Sequence, residues 1–181
     1  NERILSPFTL PNGTELKNRL LMAPMTTCTG YYDGTVTSEL VEYYRARSGS
    51  IGTIIVECCF VDDLGLAFPG AIGIDNDEKI AGLAKIAEAI KSKGSKALLQ
   101  IYHGGRMVDP KLIGGRTPVG PSAVAAPRDG AATPVALTTA EVEGMIGKFG
   151  EAVRRAIQAG FDGVEIHGAN TYLIQQFYSP N

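Results

Sequence analysis

The sequence is poor in the residue patterns that mark disulfide, metal or nucleic-acid proteins. Its three cysteines, Cys28, Cys58 and Cys59, are an odd count that includes an adjacent pair. Such a set does not build a disulfide framework, and it points to a reducing, cytoplasmic setting. There is no Cys-x-x-Cys pair, and the two histidines, His103 and His167, lack ligand spacing, so no metal site is expected. A net charge of −2 leaves no basic footprint for nucleic acid. No apolar run approaches the ~18 residues of a membrane span, and no secretory signal pattern opens the chain. No Gly-x-Gly-x-x-Gly follows the first strand, which weighs against a dinucleotide-binding doubly wound sheet. What is present is ordinary globular composition, 44% hydrophobic and 20% charged over 181 residues, enough for a sizeable core. A small-molecule substrate is the expected partner, and a homo-oligomer is left open.

The order of elements is read from apolar periodicity and its punctuation. Phe8–Leu16 is two short extended runs around Asn12-Gly13, a hairpin signal. Leu20–Ala23 is a first buried strand, stopped by Pro24, and a small-residue loop follows to Gly34. A helix starts at Thr37 or Ser38, runs through Leu40, Val41 and Tyr44, and ends near Gly49. Thr53–Cys58 is a continuous apolar strand of the kind that a parallel sheet buries on both faces. Asp75 with Glu78 predicts the next helix start, and Gly94 its end. Ala97–Tyr102 is the third strand, and residues 104–137 form a long aperiodic loop, a length that is more often functional than idle. Thr138 with Glu141 makes a capping box for a helix with the stripe Val142, Met145, Ile146, Phe149, Val153, Ile157, closed by Gly160. Val164–His167 is the fourth strand. Alternation of this kind implies an α/β fold with a parallel sheet and right-handed crossovers. Glu165 and His167 point to the face opposite Val164 and Ile166, so in a barrel Glu165 is an inward charge that needs a partner. A TIM (β/α)8 barrel takes ~250 residues. The chain therefore reads as a single domain over 1–181, the hairpin and about the first four βα units of such a barrel. It begins at Asn1 rather than Met and ends at Ser179-Pro180-Asn181 with no capping element, as a piece of a longer protein would.

Candidate chemistry gathers around Gly163–Ser179. His167 stands at the C-terminal end of a strand, where α/β enzymes place their sites, with Asn170 and Tyr172 within five residues. An imidazole and a carboxamide can hold one oxygen with two donors and polarise the attached double bond. A tyrosine hydroxyl beside them can supply a proton. From position alone, His167 could instead be structural and Tyr172 a core aromatic. Gln100 is the polar residue of an apolar strand, so it either makes a structural hydrogen bond or faces a ligand's polar edge. Ala23, Pro24, Met25 and Thr26 follow the first strand with small side chains and free amides suited to a flat ligand, or to a plain turn. Cys58 has no base beside it in sequence and reads as a small buried hydrophobe.

Four segments carry a resemblance: Met22–Thr26, Ile55–Cys58, Leu99–Arg106 and Val164–Pro180. In order and spacing the chain resembles the old yellow enzyme family of FMN-dependent NAD(P)H:flavin oxidoreductases over nearly its whole length. The last segment is highly specific; the first three are weak singly and strong together. The resemblance implies FMN at the C-terminal ends of the barrel strands, with NADH or NADPH as reductant. Ala23, Pro24, Met25 and Thr26 would line the flavin, Thr26 near its O4/N5 side, and Gln100 would bond its pyrimidine end. Cys58 falls where the family usually has Ala or Gly against the ring. His167, itself next to the cofactor, and Asn170 would hold the oxygen of an activated alkene, and Tyr172 would protonate its α-carbon. His103 and Arg106 match a motif of one branch and receive no catalytic role. The arginine beside the flavin and the phosphate-binding loops would lie beyond residue 181. Two other readings are a cofactor-free barrel lyase or isomerase with His167 and Tyr172 as acid and base, and a non-enzymatic half-barrel module.

Overall fold

A computed structural model describes residues 2–180. A short helix α1 (Glu2–Leu5) leads into a two-stranded antiparallel ribbon, β1 (Phe8–Thr9) and β2 (Glu15–Leu16), in which Phe8 pairs with Leu16. The ribbon turns at Asn12-Gly13 as expected, with the Asn12 side chain accepting from the Thr14 N–H at 3.0 Å.

The first strand departs from expectation: only Leu21–Met22 pair, as β3, and it is not buried, because it is an edge strand with Leu21 55% exposed and Met22 half-buried. α2 (Ser38–Arg47) is capped by the Thr37 hydroxyl, which accepts from Leu40 N–H at 3.2 Å. β4 (Thr53–Phe60) is buried at every residue, as a central parallel strand should be. The next helix starts differently from expectation. Asn76, not Asp75, accepts from the Glu78 N–H at 3.0 Å and opens a 3-10 turn, Asp77–Lys79, ahead of α3 (Ile80–Lys91). Asp75 is occupied in accepting from the Asn76 amide at 3.0 Å. β5 (Lys96–Tyr102) follows, and the long loop holds two 3-10 turns and a small pair, β6 (Val119–Gly120) and β7 (Val135–Ala136). α4 (Thr139–Gln158) carries the expected capping box, with Thr138 N–H on the Glu141 carboxylate at 2.7 Å and Glu141 N–H on the Thr138 hydroxyl at 3.3 Å. β8 (Gly163–Ile166) ends one residue before His167, and α5 (Leu173–Tyr178) closes the described chain. Gly49, Gly94 and Gly160 end the three helices in left-handed backbone, at φ +107°, +77° and +89°.

The strands lie in the order β3-β4-β5-β8, all parallel, with β3 and β8 at the edges. The helices cover one face. Ile54, Val56, Leu99 and Ile101 are fully buried against Leu40, Leu83, Ile86, Ile90, Ala152 and Ala156. Each large apolar side chain buried in this way contributes roughly 1.5–3 kcal/mol. The α4 stripe is only half covered: Met145 is buried, while Ile146 and Ile157 are 67% and 62% exposed. Ile146 also lines an apolar hollow with Ile166, Leu173 and Phe177 on the open β8 side, the flank that a further βα unit covers in a barrel.

Candidate active site

The other face of the sheet, near the strand C-termini, gathers the polar residues. Backbone bonds hold the end of β8 against β5: His167 N–H to Ile101 carbonyl at 3.0 Å, and Leu173 N–H to His103 carbonyl at 2.9 Å. These bonds bring His167 and Tyr172 together, edge to face with ring centres 4.9 Å apart. Tyr102 packs on Tyr172 at 5.3 Å and Phe68 meets it edge-on at 6.3 Å. Tyr102, which sequence reasoning did not single out, is fully buried, and its hydroxyl accepts from the Ala67 N–H at 3.2 Å.

The tautomer of His167 follows from its partner. Nδ1 accepts from the Ala169 N–H at 3.2 Å, so in the neutral ring Nε2 carries the hydrogen. Burial pushes its pKa below the usual value, against the opposing pull of Glu165, and so favours that neutral donor. Burial, with the Cys58 thiol adding, pushes the Tyr172 hydroxyl up to about 12, so it keeps its proton at neutral pH. Asn170 stands exposed on the same loop at φ +55°, followed by Thr171 at φ +60°. A β-branched residue in left-handed backbone is strained by roughly 1–2 kcal/mol. Gln176, buried and also missed in the sequence, holds the loop: its amide donates to the Thr171 carbonyl at 2.6 Å and the Gly104 carbonyl at 3.2 Å. The Asn170 carboxamide is exposed and makes no hydrogen bond among the described residues.

β4 reaches the site through a bulge. Val56 pairs with Leu99 and Cys59 with Ile101, so Glu57 and Cys58 both stand opposite Gln100. Cys58 turns to the loop after β3, its Sγ 3.2 Å from the Thr26 hydroxyl. Burial pushes the Cys58 thiol up to about 11, so it is a protonated thiol rather than a nucleophile. In that loop Ala23 and Met25 are exposed, while Pro24 and Thr26 are half-buried. Glu57, not singled out in the sequence, is fully buried and has no ion pair among the described residues. Its carboxylate accepts from the Thr27 N–H at 3.2 Å, the Thr27 hydroxyl at 3.0 Å and the Tyr44 hydroxyl at 3.1 Å. Burial raises its pKa, and these donors pull it back. The one available signal was a carboxylate inside an apolar strand, which must find partners. Gln100 donates from Nε2 to Glu165 at 2.7 Å, which supplies the partner that the inward charge required.

His103 is not part of this cluster. It is 1% exposed, with Nδ1 accepting from the Gly105 N–H at 3.0 Å and Nε2 facing Asp62 at 3.9 Å. Asp62 is paired with Lys148 of α4 at 2.5 Å. Burial, with Lys148 nearby, pushes the His103 pKa down to about 3. The Arg106 guanidinium bonds to the Val124 and Ala125 carbonyls at 3.3 and 3.4 Å, within the long loop. Among the described residues no three His, Cys, Asp or Glu side chains converge as metal ligands would, and no helix is long and apolar enough to cross a membrane.

Residues 3–181 match one family from end to end. The chain belongs to the NADH:flavin oxidoreductase / NADH oxidase family. It is 88% identical over 181 residues to NADH:fumarate oxidoreductase of Klebsiella pneumoniae (strain 342), covering 100% of this chain and 20% of that protein. It is 59% identical over 179 residues to NADH:acrylate oxidoreductase of Vibrio harveyi, covering 99% of this chain and 18% of that protein. Among solved structures it superimposes on the old yellow enzyme homologue of Zymomonas mobilis with a TM-score of 0.89 and 34% identity, over 98% of this chain and 51% of that one. The chain thus spans about a fifth of these curated relatives and half of that TIM barrel. The four parallel strands and their helices are the part of this chain that matches half of that barrel.

The cofactor of this NADH:flavin oxidoreductase family is FMN, and the residues present suit it. An isoalloxazine is flat and apolar, with an imide edge that both donates and accepts. The strand ends offer exposed Ala23 and Met25, the Thr26 hydroxyl, and the Gln100 carboxamide, which has both a donor and an acceptor to give.

Proposed function

We propose that residues 1–181 form one domain, the N-terminal half of an FMN-dependent barrel that passes hydride from NADH or NADPH to an activated, α,β-unsaturated acceptor. In this reading Ala23, Pro24, Met25, Thr26 and Cys58 line the flavin, Gln100 bonds its pyrimidine edge, and His167 borders it. Bound FMN supplies the hydride relay between nicotinamide and alkene. The protein's own part is to hold and polarise the acceptor. The neutral His167 Nε2–H and the unbonded Asn170 amide are two donors for one carbonyl oxygen, and polarising that oxygen makes the β-carbon electron-poor. Tyr172, protonated at neutral pH, hands its proton to the α-carbon. The observation that carries this reading is the contact of a donor-tautomer His167 with a protonated Tyr172 at the strand ends. Fumarate and acrylate, in the names of two relatives, are both α,β-unsaturated carboxylates, which supports the acceptor class. Free cysteines, two of them buried, support a reducing, cytoplasmic location.

The test separates the two half-reactions of the FMN-loaded intact protein by stopped flow. Tyr172→Phe is expected to slow reoxidation by the alkene by roughly 10²-fold or more, the usual scale of a general acid. Reduction by NAD(P)H should change far less. Equal slowing of both would overturn the proton-donor role. Absence of any flavin spectrum would instead favour a cofactor-free lyase or isomerase.

A further inference from the structure

Gln100 and Glu165 are register partners across β5 and β8. Their sequence neighbours Leu99, Ile101 and Val164 pack into the helix-side core, so both side chains project from the opposite face, towards the barrel interior. There the Gln100 amide nitrogen lies 2.7 Å from Glu165 Oε1.

This contact has a direction. A carboxamide donates from its nitrogen and accepts at its oxygen, whereas a carboxylate only accepts. Glu165 can therefore hold only the nitrogen end of Gln100. One N–H is used, and the carbonyl oxygen and the second N–H remain. Those two atoms are the complement of a cyclic imide edge, in which an N–H stands next to a C=O. A flipped Gln100 would set carbonyl against carbonyl and N–H against N–H, and would also face Glu165 with an oxygen.

We propose that Glu165 is a positioning residue for cofactor binding, which locks the Gln100 carboxamide so that its oxygen accepts from the flavin N3–H and its free N–H donates to an adjacent flavin carbonyl. The proposal rests on the FMN reading of the site. It assigns Glu165 no contact with substrate and no proton transfer. The residue acts through Gln100, and its effect should vanish when Gln100 is gone.

A double-mutant cycle on the intact protein tests it, with Glu165→Gln, Gln100→Ala and the double variant titrated with FMN. Glu165→Gln keeps the volume but can hold Gln100 in either orientation. It is expected to weaken FMN binding about tenfold, the scale of one mispaired hydrogen bond. Gln100→Ala should weaken it at least as much, and the double variant no more than Gln100→Ala alone. The NMR shift of 15N-labelled flavin N3 is the second readout, because a general loss of stability does not move it. In Glu165→Gln the N3 signal should move towards its value in Gln100→Ala. Additive losses in the cycle, or an N3 signal and FMN affinity in Glu165→Gln unchanged from the unaltered protein, would overturn the proposal while leaving the FMN site intact. An intact protein that takes up no FMN at all would overturn the flavin reading and this inference together.

Discussion

Tyr44→Phe removes one oxygen that serves two partners. Tyr44 is 1% exposed; its hydroxyl donates to the Glu57 carboxylate at 3.1 Å and accepts from the Glu57 N–H at 2.8 Å. The variant leaves a buried N–H without an acceptor and takes a donor from a buried carboxylate. An unmet buried group costs about 1–3 kcal/mol and a hydrogen bond to a charged group is worth about 1.5–3, so the expected loss is about 2.5–6 kcal/mol at neutral pH. The loss also depends on pH. Burial holds the Glu57 pKa above its unfolded value, so between the two values the folded state keeps a proton that the unfolded state has released. The stability due to this group is therefore fully present below the unfolded pKa and is lost as pH rises through the folded one. The Tyr44 donor restrains that upward shift. Without it the folded pKa climbs further and the fall with pH deepens, so Tyr44→Phe should cost more near pH 8 than near pH 5. Urea unfolding of the intact protein at the two pH values, with hydrogen exchange read over Thr53–Phe60, measures the cost and places it in β4. A penalty below about 0.5 kcal/mol, the range of ordinary surface substitutions, or one larger at the lower pH, would refute the reasoning.

His167→Ala and Asn170→Ala should each weaken phenolic ligands that form charge-transfer complexes with the flavin by roughly tenfold, one hydrogen bond's worth, while FMN stays bound. Normal titration of such ligands by both variants would remove the oxygen-holding role. His103, with its folded pKa depressed to about 3, contributes stability that is present above its unfolded value and lost as pH falls towards 3. His103→Gln should flatten that acid limb, which a denaturation series across the range would detect; an unchanged slope would mean that another group sets it. The isolated 181 residues should bind FMN poorly and associate, because β3 and β8 are open edges and Ile146, Ile157 and Ile166 lie exposed beside them. A yellow, monodisperse monomer in sedimentation would contradict this.

Local signals determined most of the architecture from the sequence alone. Thr37, the Thr138–Glu141 box and the glycines at 49, 94 and 160 bracket the helices because caps and left-handed turns depend on residues a few positions apart. The same holds for placing His167, Asn170 and Tyr172 at one strand end. The choice between Asp75 and Asn76 as cap was not legible, since both can accept and only the packed loop decides which one faces the helix. Tertiary structure alone decided the supporting contacts. Tyr44 and Glu57 are 13 residues apart and Gln100 and Glu165 are 65 apart, so neither pair leaves a local pattern. The β4 bulge that turns Glu57 and Cys58 towards the Thr26-Thr27 loop is likewise a property of pairing with β5, not of β4's own residues. Which residues could carry chemistry was therefore written along the chain. How their donors and acceptors point was set by buried polar groups that had to satisfy one another across the sheet.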